Sequence, residues 1–125
     1  MNVKKIIQDF YHHFEKKDLD GLIALFAPHA RVESPTLGKM EAQPFYRELF
    51  SKTKHFKTTM KDIFINPDNP HRAATFLSAS WETKNGDVLA FESVVIFEMN
   101  DQGKIQMIHI IYDAQRAREA LRKVS

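Results

Sequence analysis

The chain lacks cysteine and contains few residues that interrupt regular structure. None of its 125 residues is cysteine, which excludes disulfides, thiolate catalysis and cysteine-ligated metals. Four glycines and five prolines form no linker or low-complexity segment. We therefore expect residues 1–125 to form a single domain, which is large enough to bury most of its apolar surface.

A strong charge of either sign is also missing. The formal net charge is +2, and acidic and basic residues alternate along the chain, so we predict no nucleic-acid partner. No apolar run approaches the roughly 20 residues of a membrane span. Lys4 and Lys5 lead directly into an amphipathic pattern without the apolar region of a signal peptide. We expect a cytoplasmic protein with no membrane partner.

The histidines do not have the spacing of metal ligands. His12 and His13 are adjacent on a predicted helix and cannot share one face. No two of the six histidines show HxH or HxxxH spacing, and no nearby carboxylate completes a facial triad. We therefore predict neither a metal site nor a cofactor.

Hydrophobic periodicity indicates helices first and strands later. Apolar residues recur at helical spacing over residues 2–16, and Asp18 is a suitable cap for a second helix over residues 18–26. The later segments are an extended piece over 31–34, a helix over 44–50, strands over 55–65, 72–83, 88–99 and 104–112, and a helix over 114–123. Asn85-Gly86 is a strong hairpin signal between two of these strands. The order predicts an α+β fold with an antiparallel meander.

Side-chain alternation assigns faces to the strands. On residues 88–99, the more apolar set faces inward: Leu89, Phe91, Ser93, Val95, Phe97 and Met99. The last strand is apolar on both faces, so its outer face needs a cover, and the simplest cover is a second copy of the chain.

The predicted homodimer uses the convex face of the sheet. Its interface residues are Trp81, Met107, His109 and Ile111, with Trp81 on the same outer face as Leu77 and Ala79. The alternative is that Trp81 fills the core.

The segment from Asp18-Leu-Asp-Gly21 to Pro35 resembles the opening of ketosteroid isomerases and SnoaL-like polyketide cyclases, members of the nuclear transport factor 2-like superfamily. The resemblance extends over residues 6–35, 43–50 and 86–112. It implies a cone-shaped, curved antiparallel sheet wrapped around the N-terminal helices, as in a cystatin-like roll, with an apolar pocket inside. It specifies the fold more strongly than the reaction.

The resemblance also implies where catalytic groups would lie. A hydrogen-bonding tyrosine falls on Phe10, the proton-abstracting carboxylate on Ser34, and a second hydrogen-bond donor on Val95. Phenylalanine and valine have no proton to donate, and an unassisted serine is a poor base. We therefore do not expect steroid isomerisation.

Three side chains remain candidates for catalysis. Glu82 is the carboxylate that the resemblance places inward, and Tyr112 and Ser34 carry hydroxyls that reach the same pocket. The alternatives are a solvated surface charge for Glu82 and an ordinary amphipathic tyrosine for Tyr112.

The predicted pocket takes a small hydrophobic molecule. Its expected lining is mainly aromatic and aliphatic: Phe10, Phe14, Phe26, Leu49, Phe56, Met60, Ser80, Ser93, Val95, Phe97, Ile108 and Ile110. Two hypotheses use this pocket, namely proton transfer of isomerase or cyclase type on a hydrophobic carbonyl compound, and ligand binding without catalysis. A third treats the chain as a dimeric interaction domain.

Overall fold

A computed structural model describes residues 1–124, and Ser125, the last residue of the predicted domain, lies outside them. The elements are α1 (Val3–Glu15), α2 (Leu19–Ile23), β1 (Phe26–Ser34), β2 (Gly38–Glu41), α3 (Ala42–Ser51), β3 (Thr53–Ile65), β4 (Arg72–Thr83), β5 (Val88–Met99), β6 (Ile105–Ile111) and α4 (Gln115–Lys123). The α+β class is confirmed, and β4 and β5 have the predicted bounds. The sequence analysis predicted only the last four residues of β1, because it extended the second helix to residue 26, whereas α2 ends at Ile23 and β1 begins at Phe26. It did not predict β2. Of the helices in residues 1–124, none combines the length and apolar character that crossing a bilayer requires.

The strands form one sheet in the order β2-β1-β6-β5-β4-β3. Neighbours are antiparallel except β1 and β6, which run parallel with Arg31 opposite Met107. The predicted antiparallel meander is confirmed for β3–β6, and the β1–β6 pair is the exception to the predicted antiparallel sheet. Along the chain β2, α3 and β3–β5 lie between β1 and β6, so no hairpin turn constrains their relative direction.

The sheet curves around the helices. Helix α3 contacts both β1 and β3, although three other strands lie between them in the sheet, and α1 also contacts β3. Ile7 and Phe10 of α1 and Phe45 and Tyr46 of α3 are buried against the concave face. This arrangement confirms the predicted curved sheet wrapped around N-terminal helices.

The turn between α1 and α2 fixes the end of α1. Lys17 has φ 52°, a left-handed conformation that favours glycine, and the N–H groups of Lys17 and Asp18 return to the carbonyls of Phe14 and His13. The Lys17 Nζ also donates to the Thr53 carbonyl at 2.7 Å, which ties this turn to β3. Asp18 then caps α2 by accepting a hydrogen bond from the Gly21 N–H at 3.1 Å.

The hairpin between β4 and β5 has a three-residue loop rather than a two-residue turn. Thr83 and Asp87 close the loop, and Glu82 is paired with Val88. A two-residue turn at Asn85-Gly86 would instead pair Glu82 with Leu89 and turn Glu82 inward. A one-residue shift in register moves every side chain of a strand to the other face.

The predicted faces of β4 are therefore reversed. Trp81 is 2% exposed and packs inside with Leu77 and Ala79, so the prediction that it anchors an interface is wrong and the core alternative is confirmed. Glu82 and Ser80 lie on the convex face. The predicted inward face of β5 is confirmed, because the members of that face are buried or line the interior.

Candidate functional site

A cavity of about 80 Å³ lies between the helices and the concave face of the sheet. The side chains that line it come from α1, β1, α3 and β3–β6 and the segments beside them: Phe10, Tyr11, Phe14, Ser34, Thr36, Phe45, Tyr46, Leu49, Phe56, Thr58, Leu77, Ala79, Trp81, Phe91, Ser93, Val95, Ile110 and Tyr112. The half-buried members, such as Leu49, Phe91 and Tyr112, mark where the cavity approaches solvent.

The structure brings together many of the predicted site residues. Those that line the cavity are Phe10, Phe14, Ser34, Leu49, Phe56, Phe91 of the predicted inward face of β5, Ser93, Val95, Ile110 and Tyr112. Phe10, Ser34 and Val95, which the resemblance placed at three catalytic positions, thus share one cavity. If the resemblance aligns these three residues correctly with catalytic positions, they must lie around one cavity, and they do.

Other predicted lining residues lie elsewhere. Phe26, Phe97 and Ile108 are buried in the core outside the cavity wall. Met60 is paired with Leu77 and so faces the same side of the sheet, but it borders an open groove between α1 and β3 and not the cavity. Ser80 lies on the convex face as a result of the β4 register.

Aromatic rings form most of the cavity wall. Phe14 packs against Phe56 with ring centroids 4.4 Å apart, and Phe56 stacks on Trp81 at 6.0 Å. On another side, Phe91 stacks on Tyr112 at 4.7 Å. These contacts fill much of the concave space, so the cavity is smaller than the roughly 300 Å³ of a typical ligand pocket.

The Trp81 indole has a defined partner inside the molecule. Its Nε1–H donates to the Thr53 Oγ1 at 2.8 Å, and the Thr53 hydroxyl donates to the Leu49 carbonyl at 2.7 Å. This hydrogen bond fixes the orientation of the indole in the cavity wall, and it supplies the acceptor that a buried indole N–H requires.

Tyr11 is part of a closed hydrogen-bond chain. Its hydroxyl lies 3.1 Å from the Thr75 Oγ1, and the Thr75 hydroxyl donates to the Val95 carbonyl at 3.4 Å. Because Thr75 uses its proton on Val95, Tyr11 is the donor in the first bond. Burial raises the pKa of Tyr11.

Tyr46 differs from Tyr11 because its hydroxyl is unpartnered. The side chain is 1% exposed, and within residues 1–124 its hydroxyl oxygen has no hydrogen-bond partner. Burial, followed by the nearby Tyr11, raises the pKa of Tyr46 well above its usual value. The hydroxyl therefore keeps its proton and remains a donor at ordinary pH.

Ser34, Thr36 and Tyr112 form a group of hydroxyls on one side of the cavity. The Ser34 Oγ accepts from the Leu37 N–H at 3.0 Å and lies 3.3 Å from the Thr36 Oγ1. Burial raises the pKa of Tyr112, and a hydrogen bond with Thr36 opposes part of the rise. Ser34 thus supports the turn after β1, which gives it a structural role beside its place in the cavity wall.

Glu82 is not in the cavity, contrary to the sequence prediction. Its carboxylate is on the convex face and lies 3.5 Å from the Lys54 Nζ, which matches the alternative of a surface charge. None of the residues that line the cavity in the described part of the chain is a carboxylate, an imidazole or an ammonium. Glu15 contacts the wall from outside, where it accepts two 2.6 Å bonds from the N–H and hydroxyl of Thr58.

Within residues 1–124, no three or more histidine, aspartate or glutamate side chains lie together in a position to hold a metal ion. The cavity lining offers hydroxyls, which bind and orient an oxygen-bearing ligand more readily than they hold a metal.

Sequence reasoning missed eight of the lining residues: Tyr11, Thr36, Phe45, Tyr46, Thr58, Leu77, Ala79 and Trp81. The three from β4 had a usable signal, because their face of the strand carries no charge whereas the other face carries Arg72 and Glu82. Helical spacing from Leu49 would also have placed Phe45 and Tyr46 inward. No local pattern marks Thr58, whose role depends on how β3 packs against α1.

Comparison with solved structures finds the same fold in proteins of low sequence identity. A protein of unknown function from Burkholderia pseudomallei, described as NTF2-like, has a TM-score of 0.82 and 15% identity over 97% of this chain and 98% of its own. The epoxide hydrolase/cyclase-like enzyme SalBIII, described in pyran ring formation in the polyether salinomycin, has a TM-score of 0.78 and 20% identity over 89% and 90%. Rv0760c from Mycobacterium tuberculosis, solved with estradiol-17β-hemisuccinate, has a TM-score of 0.75 and 18% identity over 89% and 93%.

Comparison with curated protein sequences gave no significant match. The model of the SnoaL-like domain family, however, matches residues 7–108, which include the described elements from most of α1 to part of β6. This match covers most of the chain and agrees with the resemblance around Asp18–Pro35. The chain belongs to the SnoaL-like domain family and has the NTF2-like fold.

Proposed function

We propose that this protein binds a small, largely apolar, uncharged molecule in the cavity between the helices and the concave sheet. The observation that carries the proposal is the lining itself: among the described residues it is an aromatic and aliphatic wall with hydroxyl-bearing side chains from α1, α3 and the strands, and none of these residues is charged. Such a site gains affinity from apolar contact and uses a few polar groups to orient the ligand.

Ligands of more than a few non-hydrogen atoms require the wall to move. The cavity of about 80 Å³ is smaller than the roughly 150 Å³ that accommodates benzene in an engineered protein core. Leu49, Phe91 and Tyr112 are half-buried and are therefore the side chains freest to rotate. The steroid body of the estradiol-17β-hemisuccinate bound by the Mycobacterium tuberculosis protein supports the apolar part of this ligand type, whereas its carboxylate has no counterpart in the neutral ligand proposed here.

Proton transfer of isomerase or cyclase type on a hydrophobic carbonyl compound is the second candidate function. It is supported by Ser34 and Tyr112 sharing one cavity and by the likeness to the cyclase-like SalBIII. The lining offers hydrogen-bond donors but no carboxylate or imidazole to accept a proton near neutral pH. Glu82 is separated from the cavity by the sheet, so binding without proton transfer is the better-supported function.

Ligand-observed NMR with a panel of neutral ketones tests the proposal. The panel rises in size from cyclopentanone to a four-ring steroid ketone, and each member is paired with a carboxylic acid of similar shape. We expect saturable binding of at least one ketone and weaker binding of its acid partner, since the cavity has no cation to offset a buried charge. Absence of binding across the panel, or preference for the acids, would contradict the proposal.

We also propose that the protein is a homodimer that pairs through the convex face. We define the convex patch as Phe64, Phe76, Val94, Ile96, Met107, His109 and Ile111. Phe76, Val94 and Ile111 lie in one cross-strand row, and Ile96 and His109 lie in the next. Phe64 is 59% exposed and Ile111 is 45% exposed, so large apolar side chains stand uncovered on this face of the described chain.

Sedimentation velocity of two matched variants tests the dimer. Ile111→Lys places a charge within the convex patch, and we expect it to weaken dimerisation at least tenfold. Val88→Lys is the control, because Val88 is 57% exposed on the same face but lies six residues along β5 from Val94. A wild-type monomer, or equal dimerisation of both variants, would show that the patch is not the interface.

A further inference from the structure

The Tyr46 hydroxyl is a polar group placed in an otherwise apolar environment. Its ring belongs to α3 and packs against Phe10 at 6.0 Å, Phe26 at 5.9 Å and Phe45 at 4.8 Å between ring centroids. These neighbours account for the burial of the ring. They offer no acceptor to the hydroxyl, because phenylalanine side chains carry no oxygen or nitrogen.

A buried hydroxyl without a partner destabilises the fold. The hydroxyl has lost its hydrogen bonds with water and has gained none within residues 1–124. Phenylalanine in its place would keep the ring contacts and avoid this penalty. The nearby Tyr11 hydroxyl forms no hydrogen bond with it, and the Tyr46 oxygen has almost no accessible surface. The feature that would compensate for the hydroxyl is therefore an acceptor on a ligand that enlarges the cavity lined by Tyr46 until it reaches this oxygen.

The neighbouring Tyr11 cannot serve as a second donor. Its proton is used on Thr75, which in turn donates to the Val95 carbonyl. Tyr46 is therefore the hydroxyl with an uncommitted proton in this part of the cavity, and burial keeps that proton in place by raising the pKa of Tyr46. The complementary ligand group is an acceptor and not a donor.

The charge of the ligand follows from the same lining. No lysine, arginine or histidine lines the cavity within residues 1–124, so an anionic oxygen would enter without a compensating charge. A neutral carbonyl or ether oxygen avoids this cost and still accepts the hydrogen bond.

We propose that the Tyr46 hydroxyl donates the hydrogen bond that selects the ligand, and that the ligand is a neutral apolar molecule with a carbonyl or ether oxygen at its buried end. This inference rests on the proposed function, because it requires the cavity to admit a ligand. It adds the residue that recognises the ligand and the chemical group that is recognised.

Binding of two molecules of the same shape separates the hydrogen bond from apolar contact. Cyclohexanone and methylenecyclohexane differ in having C=O or C=CH₂ at one position. Their dissociation constants are measured by NMR titration for the wild type and for Tyr46→Phe. We expect the preference for the ketone over the alkene to fall roughly tenfold in Tyr46→Phe, as for the loss of one buried neutral hydrogen bond.

The infrared absorption of a bound ketone tests for the hydrogen bond in the wild type, so this test does not depend on Tyr46→Phe folding correctly. A hydrogen bond to a carbonyl lowers its stretching frequency, so we expect ¹³C-labelled cyclohexanone to absorb at lower frequency when bound than in cyclohexane. A bound frequency equal to that in cyclohexane would overturn the inference.

The outcomes distinguish this inference from the proposed function. If both probes bind and their ratio is the same in the wild type and in Tyr46→Phe, the cavity binds ligands but Tyr46 does not select them. If the wild type binds neither these probes nor any member of the ketone panel, the proposed function fails and the inference fails with it.

Discussion

Two tyrosines that line the same cavity differ in how their hydroxyls are satisfied. Tyr11 donates to Thr75 at 3.1 Å, whereas the Tyr46 hydroxyl has no partner within residues 1–124. Tyr11 is half-buried and Tyr46 is 1% exposed, so the more deeply buried hydroxyl is the one without a partner, and the difference arises from their neighbours. One hydroxyl stabilises the fold, and the other is retained at a cost in stability, as expected of a group used for binding.

Phenylalanine substitutions at these two positions should have different effects on stability. Tyr11→Phe removes a buried hydrogen bond and should lower the free energy of unfolding by about 1 kcal/mol. Tyr46→Phe removes an unpartnered hydroxyl and should leave that free energy unchanged or raise it by up to about 1 kcal/mol. Urea unfolding of the ligand-free protein measures both values. A larger loss for Tyr46→Phe than for Tyr11→Phe would mean that the Tyr46 hydroxyl has a structural partner.

At the residue scale, the sequence predicts some of the site and misses its polar centre. Phe10 and Ser34 are found because the resemblance over residues 6–35 fixes their alignment, and Val95 because the resemblance over residues 86–112 does the same for β5. The role of Tyr46 depends on the absence of an acceptor around it, which is a property of several elements packed together. No spacing rule on α3 contains that information.

At the scale of elements, the β4–β5 hairpin decides which side chains face the cavity. The loop has one residue more than the Asn85-Gly86 pair suggests, with Gly86 at φ 86°. That residue turns Trp81 inward and Glu82 outward. The strand bounds were predictable from alternation, but loop length was not, and an error of one residue reversed the face of the whole strand.

The cap of α2 gives a pH-dependent contribution to stability. Hydrogen bonds from the Gly21 N–H and from His13 hold the pKa of Asp18 below its usual value. The carboxylate therefore stabilises the fold above the unfolded value of about 3.9, and this contribution is lost as the pH falls through the lower folded value.

Substitution of Asp18 tests this pH dependence. We expect Asp18→Asn to be less stable than the wild type at pH 6, with a difference that shrinks below pH 4 and vanishes in stronger acid. Asp20→Asn is the matched control, since Asp20 lies on the same helix and takes no part in the cap. Urea unfolding at a series of pH values measures the differences, and a constant difference across that series would be inconsistent with the role assigned to Asp18.

At the scale of the whole molecule, one curved sheet presents two different surfaces. The concave face holds the aromatic cavity, and the convex face exposes apolar residues such as Phe64 and Ile111. The alternation of β5 and β6 predicted both surfaces, because both faces of these strands are rich in apolar residues. It did not predict the parallel pairing of β1 with β6, which depends on how the ends of the meander meet.

The size of the cavity is also a property of the whole molecule, because it depends on how all the surrounding elements pack. The sequence indicates an aromatic lining but not how fully the rings occupy the space, since that depends on rotamers across five strands and two helices. The contacts of Phe14 with Phe56 and of Phe56 with Trp81 leave a cavity of about 80 Å³. Ligand binding is therefore coupled to movement of the wall, and ligands of increasing size should bind more slowly.

The central claim is that the concave cavity is the ligand site, and two neighbouring residues of β4 test it most directly. Ala79→Leu fills the cavity, whereas Ser80→Leu adds the same side chain to the convex face. In a ¹H–¹⁵N NMR titration with the tightest-binding ketone of the panel, we expect Ser80→Leu to bind like the wild type and Ala79→Leu to lose at least tenfold in affinity. Equal affinity of the two variants would contradict the claim that the ligand occupies this cavity.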